Sequence, residues 1–359
     1  MTMLAERLEV VIGVDTHKHT HTAAVVTAGT GAHVDTLTVP ANPDGYTRLR
    51  AWAAGHGGLR AFALEGAGGY GAGLARHLAD TGEVVVEIDR PRRPARRAGA
   101  KTDEIDAVRA AREALARTHL AAPRGGVDHN VLAMHLAARR GAVQATGDAR
   151  RQLHALIVTA PETVRAHLRT HTTPAALLAA VATLTTDPTS PDKATDRRVQ
   201  AAVAVITALA ARITHLQAET AAHDKALLAA VKAWRPDLLA QYGVGAVTAA
   251  TVLTAWSHPG RFRDEAAFAM LAGTAPVPAS SGMTDRHRLD SSGDRRLNCA
   301  LHTIAITRLR GDDTTRAYAA KCRARGKTTR ETRRLLKRYI ARALFRLLEH
   351  GPTTAPITP

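Results

Sequence analysis

The chain has 359 residues, 45% of them apolar, which marks a globular protein long enough for two domains, each burying its own core. Its 49 Lys and Arg against 32 Asp and Glu leave a net charge of +17, an excess that most directly suits a polyanionic partner. Two cysteines without CxxC spacing exclude a disulfide framework or a cysteine zinc site, and no signal peptide or run of 18 apolar residues is evident, so the expectation is a cytosolic, reduced protein with no membrane partner.

From residue 8 to about 120 strand and helix signals alternate. Short apolar, β-branched runs at Val10–Val14, Thr22–Val26, Val34–Val39, Leu59–Leu64 and Val84–Ile88 predict five strands. Asn42, Pro43 and Asp44 introduce a helix through Trp52, and GAGLARHLADTG predicts another ending before Gly82. The first strand runs out at Asp15 and the fourth at Glu65, placing two carboxylates at the carboxyl edge of a sheet, where active sites of open sheets gather. His17, His19 and His21 follow Asp15 at strand spacing; alternate surface positions are the first expectation, and contact of one of them with a metal site or substrate is the alternative. Next comes DRPRRPARRAGAK, a basic run with Arg90, Arg92, Arg93, Arg96, Arg97 and Lys101. It leads into a helix capped by Thr102, whose Asp103 and Asp106 share one face at i, i+3.

The middle of the chain reads as helical. Residues 127–168 mix apolar and basic faces, a Thr/Pro-rich stretch at 185–196 marks a connection, and Val199–Leu228 predicts one long helix with Ile206, Leu209, Ile213, Leu216 and Leu227 at spacings of three and four. Such a helix suits either a coiled coil between protomers or a helix hairpin within one chain. QYGVGAVTAATVLTAW then offers Gly243 and Gly245 before a helix, the pattern of a helix-hairpin-helix whose backbone N–H groups approach a phosphate, although Gly-x-Gly also serves ordinary tight turns.

The C-terminal quarter carries most of the charge. Between Arg261 and His350, 20 Lys and Arg face 9 Asp and Glu. PASSGMTDRHRLDSSGDRRLN contains two Ser-Ser-Gly copies. The first, Ser280-Ser281-Gly282, reads as a loop; the second, Ser291-Ser292-Gly293, precedes a helix on which Leu297, Leu301 and Ile304 are apolar and Cys299 is expected in the core. A last helix, ETRRLLKRYIARALFRLLEH, is basic and amphipathic, with Arg333, Arg334, Lys337, Arg338 and Arg342 offered to nucleic acid.

Taken singly, acids in a helix first turn complement the macrodipole and an Asp after a strand is a turn residue. Taken together, Asp15, Glu65, Asp103 and Asp106 repel one another unless a cation neutralises them, and hard oxygen ligands favour Mg2+ or Mn2+. A pair of such ions about 3.5–4 Å apart serves phosphodiester transfer. The ordered set VIGVDTHKHTHTAAVV, ALEGAGGYG, KTDEIDA and PASSGMTDRHRLDSSGDRRLN resembles the DEDD insertion-sequence transposases related to the Piv pilin-gene invertase. That resemblance implies an α/β RNase H-like (RuvC-like) DEDD domain over 1–170, linker and coiled-coil helices over 171–235, a mainly α transposase domain over 236–350 and a disordered tail at 351–359. It implies catalytic and metal-binding roles for Asp15, Glu65, Asp103 and Asp106, and a nucleophilic serine at Ser281, with Ser280 as its rival. Nucleic-acid contacts are expected from Arg92, Arg93, Arg96, Arg97, Lys101, Gly243, Gly245, Arg286, Arg288, Arg295 and Arg296. The implied partners are double-stranded donor and target DNA, a structured noncoding bridge RNA, and further copies of the chain in a homodimer or homotetramer, in a nucleoid-associated bacterial setting. Two other classes fit the same residues: a Holliday-junction-type nuclease using water, and a non-catalytic nucleic-acid-binding protein.

Overall fold

The structure, a computed structural model, describes residues 3–88, 102–184, 193–278, 287–288, 290 and 293–351. Contacts divide the chain into two compact units, one of Met1–Asn130 with Val252–Pro359 and one of Val131–Thr251.

The first unit opens with a short 3-10 helix, Leu4–Glu6, and then β1 (Val10–Thr16), β2 (Thr20–Thr27), β3 (His33–Pro40), α1 (Pro43–Ala54), β4 (Arg60–Glu65), α2 (Ala72–Asp80), β5 (Val84–Ile88) and α3 (Asp103–Ala116). All five strands and the three helices fall where the apolar runs and caps predict them. Asn42 caps α1 by accepting from Gly45 N, and Thr102 caps α3 by accepting from Ile105 N. The sheet order is β3-β2-β1-β4-β5, with β1 antiparallel to β2 and parallel to β4, an order compatible with an RNase H-like domain.

Strand alternation divides the core into two layers. Val10, Ile12, Val14, Phe62 and Leu64 face α1 and α2, burying Leu49, Leu74 and Leu78 with them. Val11, Ala24, Ala63 and Val86 face α3 and its Ala107, Ala111 and Ala114. The α3 layer is built of small residues, and Gly13 on β1 takes this to its limit. A Cβ there would stand 1.9 Å from Ala107 O and 2.6 Å from Ala111 N, so α3 rests directly on the strand backbone.

The second unit is helical, with α4 (Val127–Thr159), α5 (Glu162–Leu168), α6 (Pro174–Ala182), α7 (Lys193–Trp234) and α8 (Pro236–Leu239); α4 begins just before the unit boundary. Ile206, Ala210 and Ile213 of α7 pack with Leu153, Val164, Leu168, Leu177 and Val181. Farther along, Arg139 Nε donates to Asp224 Oδ1 at 2.5 Å and His135 Nδ1 lies 3.0 Å from His223 Nδ1. The α4–α7 pairing is therefore made within the chain. Arg197–Trp234 is long and apolar enough, by length and composition alone, to cross a membrane, although polar residues and Arg212 interrupt it before 18 consecutive apolar residues are reached. Its Ala-rich stretch from Val199 to Leu216 has Arg212 as its single formal charge. Residues 193–196 of the expected connection are helical; 185–192 lie outside the described residues.

The remaining elements are α9 (Ala246–Trp256), α10 (Glu265–Leu271), the short hairpin β6 (Val277–Pro278) with β7 (His287–Arg288), α11 (Arg295–Gly311), α12 (Asp313–Ala324) and α13 (Thr329–His350). Phe268 stacks on Phe345 at 5.6 Å, joining α10 to α13. Leu297, Leu301 and Ile304 are buried as expected, but Cys299 is exposed, because position 299 falls on the outward side of α11 between buried Leu297 and Ala300. Within the first unit, His119 Nε2 lies 3.4 Å from Arg261 O and His129 Nε2 lies 3.3 Å from Thr254 O.

Candidate metal centre

Strand parity decides which way the first acid points. Asp15 is two residues beyond Gly13 and shares its face, the α3 face, because successive side chains alternate. On α3, Ala107 and Ala111 abut Gly13, and Asp103 stands one turn before Ala107 on the same helical face. The helix therefore runs against the strand direction, and the start of α3 comes to the end of β1. Glu65 is the register partner of Asp15 in the parallel β1–β4 pair, so its side chain leaves the same face of the sheet. Beside it, Thr16 Oγ1 donates to Glu65 O at 2.7 Å and fixes the strand ends together.

The resulting contacts are short. His17 Nε2 lies 3.1 Å from Asp15 Oδ2 and 3.4 Å from Asp103 Oδ1, bridging the strand-end acid to the helix acid. One ligand atom from each of Asp15, His17 and Asp103 lies within 4.8 Å of the others. Asp106 Oδ1 accepts from Arg109 Nη1 at 2.9 Å. Burial pushes the Asp15 carboxyl above the ordinary carboxylate range; His17 opposes this by charge and hydrogen bond, while the negative charges of Asp103 and Asp106 add to it. A half-buried carboxylate among like charges is the environment that a divalent cation relieves. The donor set of carboxylates with one imidazole fits such an ion.

Of the three histidines that follow Asp15, His17 is the one that meets the acids, the alternative to a plain surface position. Its signal is the two-residue spacing from Asp15, which returns it to the same face just past the strand end. The three histidines also part company: His17 and His19 are exposed as expected, but His21 is fully buried and stacked on Tyr46 at 5.7 Å. The correction follows from position, since His21 lies in β2, the strand held between β1 and β3, under α1.

Arg92, Arg93, Arg96, Arg97 and Lys101 lie outside the described residues, as do Ser280, Ser281 and Arg286 and the expected tail at 352–359; of Arg288 only the backbone is described. Arg295 and Arg296 are exposed in the first turn of α11. That helix is capped by Asp294, which accepts from Arg296 N and Leu297 N. Gly293, ahead of the cap, packs on backbone: a Cβ there would meet Gly273 N at 2.4 Å. Gly243 adopts φ 81°, whereas Gly245 has open space where a Cβ would stand, and its N–H donates to Thr248 Oγ1 at 3.0 Å. On α13 the expected nucleic-acid cations are corrected in part. Lys337 is buried and donates to Asn298 Oδ1 at 2.8 Å, and Arg338 and Arg342 reach Glu265 at 3.5 and 2.8 Å, because the apolar stripe turns these positions toward α10 and α11.

Comparison with known proteins gives two family matches. A family model for the transposase IS116/IS110/IS902 family matches residues 237–320, and a transposase model of the IS110 DEDD type matches residues 12–162. The second covers Asp15, Glu65, Asp103 and Asp106. The IS110 insertion-element 43.6 kDa protein of Streptomyces coelicolor, itself described as uncharacterized, is 32% identical over 151 residues, 41% of this chain and 37% of that protein. The chain thus matches little more than a third of the length of this relative.

Proposed function

We propose that the chain, two stretches of which match transposase models of the IS110 type, is a divalent-metal-dependent insertion-element DNA transposase acting through a composite site. The observation that carries the proposal is the convergence of Asp15, Asp103 and His17 at one sheet edge, with Glu65 in register beside Asp15. Asp15, Glu65, Asp103 and Asp106, with His17, are the residues that would hold the metal, Mg2+ or Mn2+ by the hardness of their oxygens. Bound there, such ions supply charge stabilisation for the attacking and leaving oxygens of a phosphodiester.

The chain's own groups have defined parts in this reaction. Ser281, with Ser280 as rival, supplies a hydroxyl that attacks the scissile phosphorus. The Oγ–P bond forms as one P–O bond of the DNA strand breaks, the hydroxyl proton passes to the departing oxygen, and the strand end remains joined to the serine. Reversal on a second strand restores a phosphodiester without an external energy source. Arg286, Arg288, Arg295 and Arg296 neutralise the phosphate, and Arg92, Arg93, Arg96, Arg97 and Lys101 guide DNA toward the acids. The membership of residues 1–130 and 252–359 in one compact unit supports a site that draws on both parts. Gly243 and Gly245 place a backbone approach to DNA ahead of α9 as a helix-hairpin-helix element. The intramolecular α4–α7 pair is the frame on which a coiled coil between copies would be built, in a dimer or tetramer that brings several active sites to two duplexes. A structured bridge RNA as guide rests on the resemblance of the ordered motifs alone, as does the cytoplasmic, nucleoid-associated setting.

The rival is hydrolysis by the same acids with water as nucleophile. Incubation of the full chain with an end-of-element duplex, Mg2+ and the flanking transcript, resolved on a denaturing gel, separates the two. The composite mechanism predicts a covalent protein–DNA adduct lost in both Ser281→Ala and Asp103→Ala. Cleavage without adduct that survives Ser281→Ala assigns the chemistry to water.

A further inference from the structure

The C-terminal helices hold more cations than their carboxylates can engage. Between Arg308 and His350, 14 Lys and Arg stand against four acids, and each acid has a partner. Asp312 caps α12 by accepting from Thr315 N, Asp313 pairs with Arg316, Glu331 closes the capping box of α13, and Glu349 accepts from Trp256 Nε1 and Gly260 N. On α13 itself the cations divide along the helix. Arg338, Arg342 and Arg346, one turn apart, converge on Glu265 of α10, and buried Lys337 donates to Asn298 of α11. Those four hold the helix to its neighbours.

The first turns of α13 are different. There a cleft of about 290 Å³ opens beside α12, floored by Leu309 and Ala319 and flanked by Arg316, Arg323, Thr329 and Arg333. Among the described residues no carboxylate forms an ion pair with Arg323 or Arg333. Arg333 Nε is shielded from solvent and has no hydrogen-bond partner; Arg338 Nη1 and Arg342 Nε share that feature, but those two arginines have Glu265 as counter-ion and Arg333 has none among the described residues. A shielded guanidinium N–H without an acceptor is costly; Asp313, the acid beside the cleft, is taken by Arg316, so the acceptor that suits the remaining guanidinium groups and a hydroxyl is a phosphate oxyanion.

We propose that the cleft of Arg323, Thr329 and Arg333 seats a backbone phosphate of duplex DNA. It rests on the DNA-transposase reading and extends it to residues outside both family-matched stretches. Duplex is favoured over single strands because recognition of unpaired bases depends on open aromatic faces. Here Tyr318 of α12 and Tyr339 of α13 pack edge-to-face on one another at 5.3 Å. Cations on rigid helices instead match a regular backbone.

The test uses the full chain and a fluorescent random-sequence duplex, with anisotropy followed from about 50 to 200 mM salt. Arg323→Gln and Arg333→Gln each lower the salt slope by about one, and the pair by about two, with unchanged melting temperature. The paired Arg→Lys variant retains the slope, since a point charge suffices for a phosphate. Arg342→Gln, a structural control, lowers melting temperature and leaves the slope alone. A wild-type slope in a folded double Gln variant overturns the site, and a loss seen with single-stranded RNA but not with duplex overturns its assignment to DNA. Failure of the broader reading has its own signature: wild-type protein would leave duplex uncut in Mg2+ whatever the slope.

Discussion

A single methyl group at Gly13 tests whether the close seating of α3 builds the acidic site. In Gly13→Ala the new Cβ would face Ala107 O at 1.9 Å, Ala111 N at 2.6 Å and Ala107 C at 3.0 Å. These are backbone atoms of a helix, so no side-chain rotation relieves them. Ordinary contact begins near 3.4 Å, and β1 is held on both sides by β2 and β4, so the helix must lift by roughly 1–1.5 Å. Burying one methyl returns about 0.8 kcal/mol, while overpacking of this kind costs about 1–3 kcal/mol or more. For a unit of this size, thermal denaturation in EDTA should register a fall of about 3–10 °C. Asp103 rides one turn from Ala107, so the same displacement moves it from Asp15 and His17. A misplacement near 1 Å suffices for about a 100-fold loss of strand cleavage. Gly29→Ala, at a position with nothing within 4 Å, is the matched control and should behave as wild type. A Gly13→Ala protein with wild-type melting temperature and wild-type cleavage would refute the argument that close α3–β1 packing positions the acids.

Asp15→Asn removes a half-buried charge that Asp103 and Asp106 disfavour, so the metal-free variant should melt at or above wild type in EDTA while losing the stabilisation that Mn2+ confers; an unchanged Mn2+ response would remove Asp15 from the ligand set. His21 is fully buried and burial lowers its pKa, so the unfolded chain takes up its proton first; stability is full above the ordinary histidine range and declines as pH falls through it. His21→Leu should flatten the decline in melting temperature between about pH 7 and 5.5, and an equally steep decline would place the acid sensitivity elsewhere. Gly243→Ala forces a side chain to φ 81° and should cost about 1 kcal/mol, whereas Gly245→Ala meets open space. If Gly245 lies against a DNA phosphate, Gly245→Ala keeps its melting temperature and weakens duplex binding; unaltered binding would leave Gly245 an ordinary turn residue.

Local chemistry explains why the α/β part was legible from sequence. Its strands are apolar runs of period two or continuous burial, and two of its three helices start at Asn42 and Thr102, residues whose side chains cap the first turn. What the pattern could not supply was distance. Nothing in the spacing of Asp15 and Asp103 says that they meet; the meeting depends on Gly13 against Ala107 and Ala111, a contact between segments more than ninety residues apart in the chain. The same gap explains His17 and His21. Both obey the strand period, and only the register of β2 between two neighbours sends one inward and leaves the other beside the acids.

The basic helix α13 carries this argument to charge. Composition and amphipathicity marked its cations as one class, yet Glu265, an acid more than seventy residues upstream, sorts them into two. Three arginines spaced by four reach that carboxylate and become part of how α13 is anchored, so their charge is spent inside the protein. Arg333, a turn and a half earlier, has no such acid opposite it and is left with a shielded N–H beside Arg323. A net charge of +17 therefore overstates the surface available to a polyanion. The usable part is the portion that folding does not neutralise, and in the C-terminal helices it is concentrated at the α12–α13 junction.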